Sequence, residues 1–201
     1  MNKIIGIISG DPNSINSEII AKVWRKKEKF KKLNFFIIGN YSLLKKQFVK
    51  LGYSIKLNKI NKIKNNNFKN SLNIFDVPIR SSKLFNVPLT KKHKYIENSF
   101  KVAINLLDKK EIVGLINCPL NKRDLSLRRK FSGVTEFLAK KKGVFGEEVM
   151  LIYNKTLSVS PLTTHIKLNS VSKNISKNKI IRKILTLNKF YKNKLKNKAK
   201  I

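Results

Sequence analysis

The sequence predicts an α/β fold: a mostly parallel sheet with helices on its faces. Three observations predict it. Short, continuous apolar runs have the length of buried strands, stripes at helical spacing separate them, and Gly, Asn and Pro stand at the joins. With 201 residues, 41% of them apolar, the chain can bury the core of one domain or of two small ones.

The first strand is read over Lys3 to Ser9, running straight into Gly10-Asp11-Pro12 with no small-residue cleavage site, so it is not read as a signal peptide. A helix follows over Ser14 to Phe30, carrying Ile19, Ile20, Val23, Trp24 and Phe30, with Asn16 or Ser17 available as its cap. Asn34 to Gly39 reads as the second strand and Tyr41 to Leu51 as a helix stopped by Gly52. Tyr53 to Lys69 is Lys/Asn-rich and loop-like, with a short strand at Tyr53 to Leu57. Asn73 to Val77 is a further strand. Ile96, Phe100, Ala103 and Leu107 share one helical face ahead of a strand at Ile112 to Asn117. Thr135 to Lys142 reads as a helix, and Val149 to Tyr153 pairs with Leu157 to Pro161 around Asn154-Lys155. Ile180, Ile184, Leu187 and Tyr191 form a last helical stripe, so Lys179 to Phe190 should pack on something; Lys192 to Lys200 is a basic tail.

Composition excludes some functions. No run of roughly 18 apolar residues exists to span a bilayer. The single cysteine, Cys118, leaves no internal disulfide and fits a reducing cytoplasm. The charge is extreme, 45 Lys+Arg against 11 Asp+Glu, a formal +34. Such a field attracts polyanions, which would suit a nucleic-acid or membrane-surface binder. Yet only six of the cations are Arg, and Lys is accompanied by abundant Asn and Ile, whose codons are all A/T-rich. Guanidinium groups fork onto phosphate and base edges better than ammonium groups do, so compositional drift is the favoured account and no dedicated nucleic-acid partner is expected.

Four positions carry chemistry. Gly10-Asp11-Pro12-Asn13-Ser14 lies between a strand and a helix, where Asp11 either orients a ligand or, with Ser14, ties down a tight turn. Asn117-Cys118-Pro119-Leu120-Asn121-Lys122 follows another strand; Asn121 and Lys122 are an amide and a cation suited to phosphate or carboxylate. Cys118, with no His nearby in sequence, reads as a small buried thiol. In Gly133-Val134-Thr135-Glu136-Phe137, Thr135 stands at a helix start, able to bind an anion or cap the helix. In Thr163-Thr164-His165 the imidazole can ligate a divalent metal or serve a structural role.

In this order, the four segments resemble the 4-hydroxythreonine-4-phosphate dehydrogenase family of vitamin B6 biosynthesis, across essentially the whole chain. Gly10, Asp11, Pro12, Ile15 and Glu18 match its opening Gly-Asp-Pro…Gly-Ile-Gly-Pro-Glu segment, while Ser14, Asn16 and Ser17 replace Gly, Gly and Pro. Pro119-Leu120-Asn121-Lys122 meets its Pro-Ile-Asn-Lys segment, Gly133 to Phe137 its Gly-His-Thr-Glu-Phe segment, and Thr163-Thr164-His165 its Thr-Thr-His segment. The resemblance implies an isocitrate/isopropylmalate dehydrogenase-like fold, incomplete at the C-terminus. Residues 1–120 would be a first domain, 121–190 part of a second, and 191–201 the tail. It also implies oxidation of 4-phosphooxy-L-threonine by NAD or NADP, with a divalent metal (zinc, magnesium or cobalt). The 3-oxo acid then decarboxylates to 3-amino-2-oxopropyl phosphate. A cytoplasmic homodimer is implied too.

By the same resemblance, Thr135 and the Val134 position contact substrate, Asn121 and Lys122 support them, and His165 ligates metal. Two departures bear on activity. Val134 stands where the family has a substrate-binding His. The family's other two metal-binding histidines lie in later Asn-Pro-His and His-Asp-Gln segments, whereas this chain has only His93 and His165. The chain alone is therefore expected to be inactive or nearly so. The rival readings are a related dehydrogenase of another four-carbon phosphorylated hydroxy acid, and a basic binding module without catalysis.

Overall fold

A computed structural model describes residues 4–30, 33–63, 68–121, 133–154, 156–164, 166–197 and 199–200. The chain divides into two compact units, Met1–Arg128 and Arg129–Ile201.

The first unit is built on a parallel five-stranded sheet: β1 (Ile4–Ile8), β2 (Asn34–Gly39), β3 (Leu57–Ile60), β4 (Leu72–Asp76) and β5 (Gly114–Asn117), in the order β3-β4-β2-β1-β5. Ile7 sits in register with Ile37 of β2 on one side and Ile116 of β5 on the other. Alternate side chains serve opposite faces. Helices α1 (Asn16–Arg25) and α2 (Tyr41–Lys50) cover one face, where Ile20, Trp24, Leu44 and Phe48 pack in one cluster with Ile37, Leu72 and Ile74. Helix α3 (Leu89–Asp108) contributes Ile96, Phe100 and Ala103 to the core; a Cβ on Gly6 of β1 would meet Ile38 and Ile112 at 3.2 Å.

Several boundaries differ from those read in the sequence. Helix α1 ends at Arg25, and a 3-10 turn at Lys27–Phe30 replaces its expected last turns, because Lys26 to Lys29 offer no apolar stripe. Neither Asn16 nor Ser17 caps α1. Ile15 takes the cap position, and the Ser14 hydroxyl accepts the N–H of Asn16 at 3.2 Å. The short strand lies at Leu57–Ile60 instead of Tyr53 to Leu57, since Leu57↔Leu72 through Ile60↔Phe75 can align with β4 while Tyr53 and Ile55 lean on the α1/α2 core. On α3 it is Leu106 that is fully buried, with Leu107 half-exposed.

The second unit contains α4 (Val134–Lys141) and α5 (Lys177–Phe190), which continues as a π-helical turn over Tyr191–Leu195 where a tail was expected. Ser176 caps α5 by accepting the N–H of Lys179. Ile180, Ile184, Leu187 and Tyr191 do face a pocket of about 300 Å³, shared with Leu151 and Leu162, though no residue of α5 is fully buried. The expected pair of strands reduces to one antiparallel bridge, Ile152↔Val159. Ile152, Tyr153, Leu157 and Val159 are all more than half exposed, so no buried face fixes a longer register.

Candidate functional site

The chain leaves β1 for β2 on one side, and β5 returns to pair with β1 on the other. Open α/β sheets bind ligands beyond the carboxyl ends of the strands at such a reversal, which here lies between β1 and β5. Gly10-Asp11-Pro12 leaves β1 there, and Cys118-Pro119-Leu120-Asn121 leaves β5.

The two segments are tied together. Asn16 Nδ2 donates to the Pro119 carbonyl at 2.9 Å, which explains why Asn16 is buried and does not cap its helix. Gly10 makes the approach possible. Its φ is +75°, and a Cβ there would lie 2.5 Å from Asn16 Nδ2 and 3.0 Å from Pro119 O.

Asp11 is the charged centre of the loop. Oδ1 accepts the N–H of Asn13 at 2.8 Å and Oδ2 faces Lys92 Nζ of α3 at 3.3 Å. Ser14 Oγ donates to the Asp11 carbonyl at 2.8 Å. The turn-stabilising role considered for Asp11 and Ser14 is thus realised, with a buried ion pair that sequence spacing could not reveal. The Asn13 amide grips the Val87 backbone twice, donating at 2.9 Å and accepting at 2.7 Å, while Gln47 Nε2 donates to the carbonyls of Pro12 and Leu84. These contacts fix the loop before any ligand arrives.

Behind the loop, Ser9 Oγ and Tyr95 Oη lie 2.7 Å apart, and the Asn40 N–H donates to Tyr95 Oη at 3.0 Å. Gly39 passes so close that a Cβ would meet Ser9 Oγ at 2.6 Å. Burial pushes the Tyr95 pKa above its ordinary value, outweighing the hydrogen bonds from Ser9 and Asn40. The phenol is a neutral structural pin. Cys118 is buried, and desolvation raises its thiol to about 11. A protonated thiol is no nucleophile at neutral pH, in keeping with the structural reading.

Asn121 is exposed at the end of the segment after β5. Lys122 and His165 lie outside the described residues. In the second unit Gly133 holds the cap position of α4, so Thr135 is a first-turn residue and not the cap. Its side chain is exposed and Val134 is half-buried. Among the described residues no three His, Cys, Asp or Glu side chains are grouped as a metal centre would need. His93 is buried within α3, in the first unit. The Asp11–Lys92 pair, Asn13 and Gln47 were the features missed; their partners are 35 to 81 residues away and no local signal marks them.

Sheet order and the preset loop define an open parallel α/β protein whose strand order reverses between β1 and β5. Residues 31–201 match the sequence profile described as "Pyridoxal phosphate biosynthetic protein PdxA", and the chain belongs to that family. Two 4-hydroxythreonine-4-phosphate dehydrogenases, from Sulfurihydrogenibium sp. and Aquifex aeolicus, are each 30% identical over 194 and 202 residues. The matches cover 94% and 98% of this chain but 58% and 60% of those proteins. A crystal structure of the Burkholderia phymatum 4-hydroxythreonine-4-phosphate dehydrogenase shares the fold with a TM-score of 0.82 at 23% identity, over 94% of this chain and 58% of that one. The chain therefore spans about three-fifths of the length of these relatives. No described helix is long and apolar enough to cross a membrane.

Proposed function

We propose that this chain is the part of a 4-hydroxythreonine-4-phosphate dehydrogenase that binds the substrate's anionic end and contributes to its metal site. Residues 1–120 act as the first domain and 121–190 as part of the second, in a cytoplasmic homodimer. The observation that carries the reading is the preset loop joining the ends of β1 and β5, in a chain of this family whose relatives are named 4-hydroxythreonine-4-phosphate dehydrogenases.

Asn121 and Lys122, leaving β5, offer an amide and a cation to the phosphate of 4-phosphooxy-L-threonine. Thr135, exposed in the first turn of α4, offers a hydroxyl at a helix N-terminus, which favours an anion. His165 is one metal ligand by motif. A bound divalent cation would act as a Lewis acid on the substrate hydroxyl, but a catalytic centre needs about three protein ligands and this chain's two histidines cannot make that set. NAD or NADP accepts the hydride in the assembled enzyme. Val134, apolar where the family has His, weakens one polar contact and favours a second reading, a dehydrogenase of a neighbouring four-carbon phosphorylated acid.

The test is a fusion of this chain to the remaining portion of the Sulfurihydrogenibium relative. With 4-phosphooxy-L-threonine, NAD or NADP and a divalent metal, the fusion turns over, Thr135→Ala raises KM about tenfold, and the 201-residue chain alone is inactive. Turnover by the chain alone, or a folded fusion without activity on any four-carbon phosphorylated hydroxy acid, overturns the proposal.

A further inference from the structure

A second place in the first unit gathers aromatic rings and ammonium groups. The end of α1, the start of β2 and the segment leading into β4 meet there, and Trp24, Lys27, Glu28, Leu33, Phe35 and Phe68 line a cavity of about 220 Å³. The sheet is parallel, so this cavity lies at the amino ends of its strands, whereas the Asp11 loop leaves a carboxyl end. The 6 residues of β2 separate the two ends by about 20 Å. The Trp24 and Phe35 rings meet edge to face, with centroids 5.8 Å apart and planes at 80°. Lys27 Nζ stands 4.7 Å from the centre of the Trp24 ring and donates to the Lys69 carbonyl at 2.6 Å, which fixes the ammonium at the cavity wall. An ammonium carries further N–H donors, and these can serve an acid group. Trp24 is buried, Phe35 and Phe68 are half-buried, and Leu33 is 46% exposed, so the lining is built and yet open to water.

The lining selects a ligand by size, shape and sign. The cavity is smaller than the roughly 300 Å³ at which pockets for drug-sized molecules begin, so it holds one small ring and no dinucleotide. Three aromatic side chains favour a flat ring. Lys27 and Lys69 outnumber Glu28 in the lining, on a chain of net charge +34, and this balance favours an anion. We propose that the cavity binds a small aromatic acid, one planar ring carrying a carboxylate or phosphate, with Lys27 as its charge partner. Glu28 follows Lys27 on the same 3-10 turn and its charge opposes the ligand's, which keeps the affinity modest. The site is independent of the one read for the phosphorylated hydroxy acid, and neither reading rests on the other.

Trp24 is the chain's single tryptophan, so its fluorescence reports on this cavity. Benzoate and phenyl phosphate, titrated into the 201-residue chain, each change the emission saturably with a Kd on the order of 0.1–1 mM. The tighter of the two names the acid group. Benzyl alcohol, a ring without charge, and inorganic phosphate, a charge without a ring, bind about tenfold more weakly or not at all. Lys27→Ala weakens both aromatic acids about fivefold or more. Lys45→Ala removes the same charge from an exposed position on α2 and changes them less than about twofold, because a distant surface charge is screened. Glu28→Gln tightens them about twofold. Lys27 also touches the indole, so Leu33→Glu provides a second variant: a carboxylate in the exposed part of the lining abolishes binding of both acids. An equal response to inorganic phosphate would assign the signal to general anion attraction, and an equal response to benzyl alcohol would assign it to an apolar hollow. Either result overturns the proposal, as does a Lys27→Ala chain that binds as tightly as Lys45→Ala.

Discussion

Lys92 Nζ stands 3.3 Å from Asp11 Oδ2, with the two side chains only 10% and 11% exposed. A buried charge that loses its counter-charge is costly, whereas replacing both partners by uncharged groups is much less so. Asp11→Asn should therefore destabilise the first unit by about 3 kcal/mol. The double variant Asp11→Asn/Lys92→Met should lose markedly less than the sum of the two single changes. Urea denaturation of the four proteins in the cycle measures this; simple additivity would remove the pair from the account.

Gly10 provides a sharper probe of the loop. With φ at +75° and Asn16 Nδ2 2.5 Å from where a Cβ would stand, Gly10→Ala combines backbone strain with a clash. A loss of about 2–3 kcal/mol is expected. Asn16→Ala should cost less, about 1 kcal/mol, since it breaks the tie to Pro119 without strain. Equal losses would mean that the hydrogen bond, and not the glycine conformation, holds the two segments.

Alkaline pH should destabilise the fold through Cys118. Its folded pKa of about 11 lies above the ordinary 9.0, so above pH 9 the unfolded chain releases the proton first. The stabilisation is fully present below pH 9 and is lost as pH rises toward 11, on the order of 3 kcal/mol in all. Tyr95, also raised by burial, adds to the loss at higher pH. Cys118→Ala should flatten the fall in Tm between pH 9 and 11. An unchanged slope would assign the effect elsewhere.

The +34 charge should produce nucleic-acid binding of a non-specific kind only. Fluorescence anisotropy with duplexes of different sequence should show the same weak affinity at 150 mM salt, falling steeply as salt rises. A strong preference for one sequence would restore the basic binding module as a reading.

Much of the first unit was legible because its signals are local. Asn34 to Gly39 is a continuous apolar run of strand length, and it matches β2 to the residue. The strand at Leu57–Ile60 was misplaced because Tyr53 and Ile55 look equally strand-like, and only pairing with Leu72 to Phe75 chooses between them. The strands expected at Val149 to Tyr153 and Leu157 to Pro161 reduce to the bridge between Ile152 and Val159, since alternation without burial does not hold a ladder.

By itself the sequence determined the strand–helix alternation and the four motifs that carry the family resemblance, because periodicity, turn chemistry and residue type are written in neighbouring positions. Only the tertiary structure decided that the β1 and β5 loops meet through Asn16 and Pro119, that Asp11 is spent on Lys92 and Asn13, and that Ile116 lies bare beside an open edge. Those relationships join residues 81 and 103 positions apart, or depend on which faces the helices leave uncovered. Packing of the whole sheet sets them, and no local pattern encodes it.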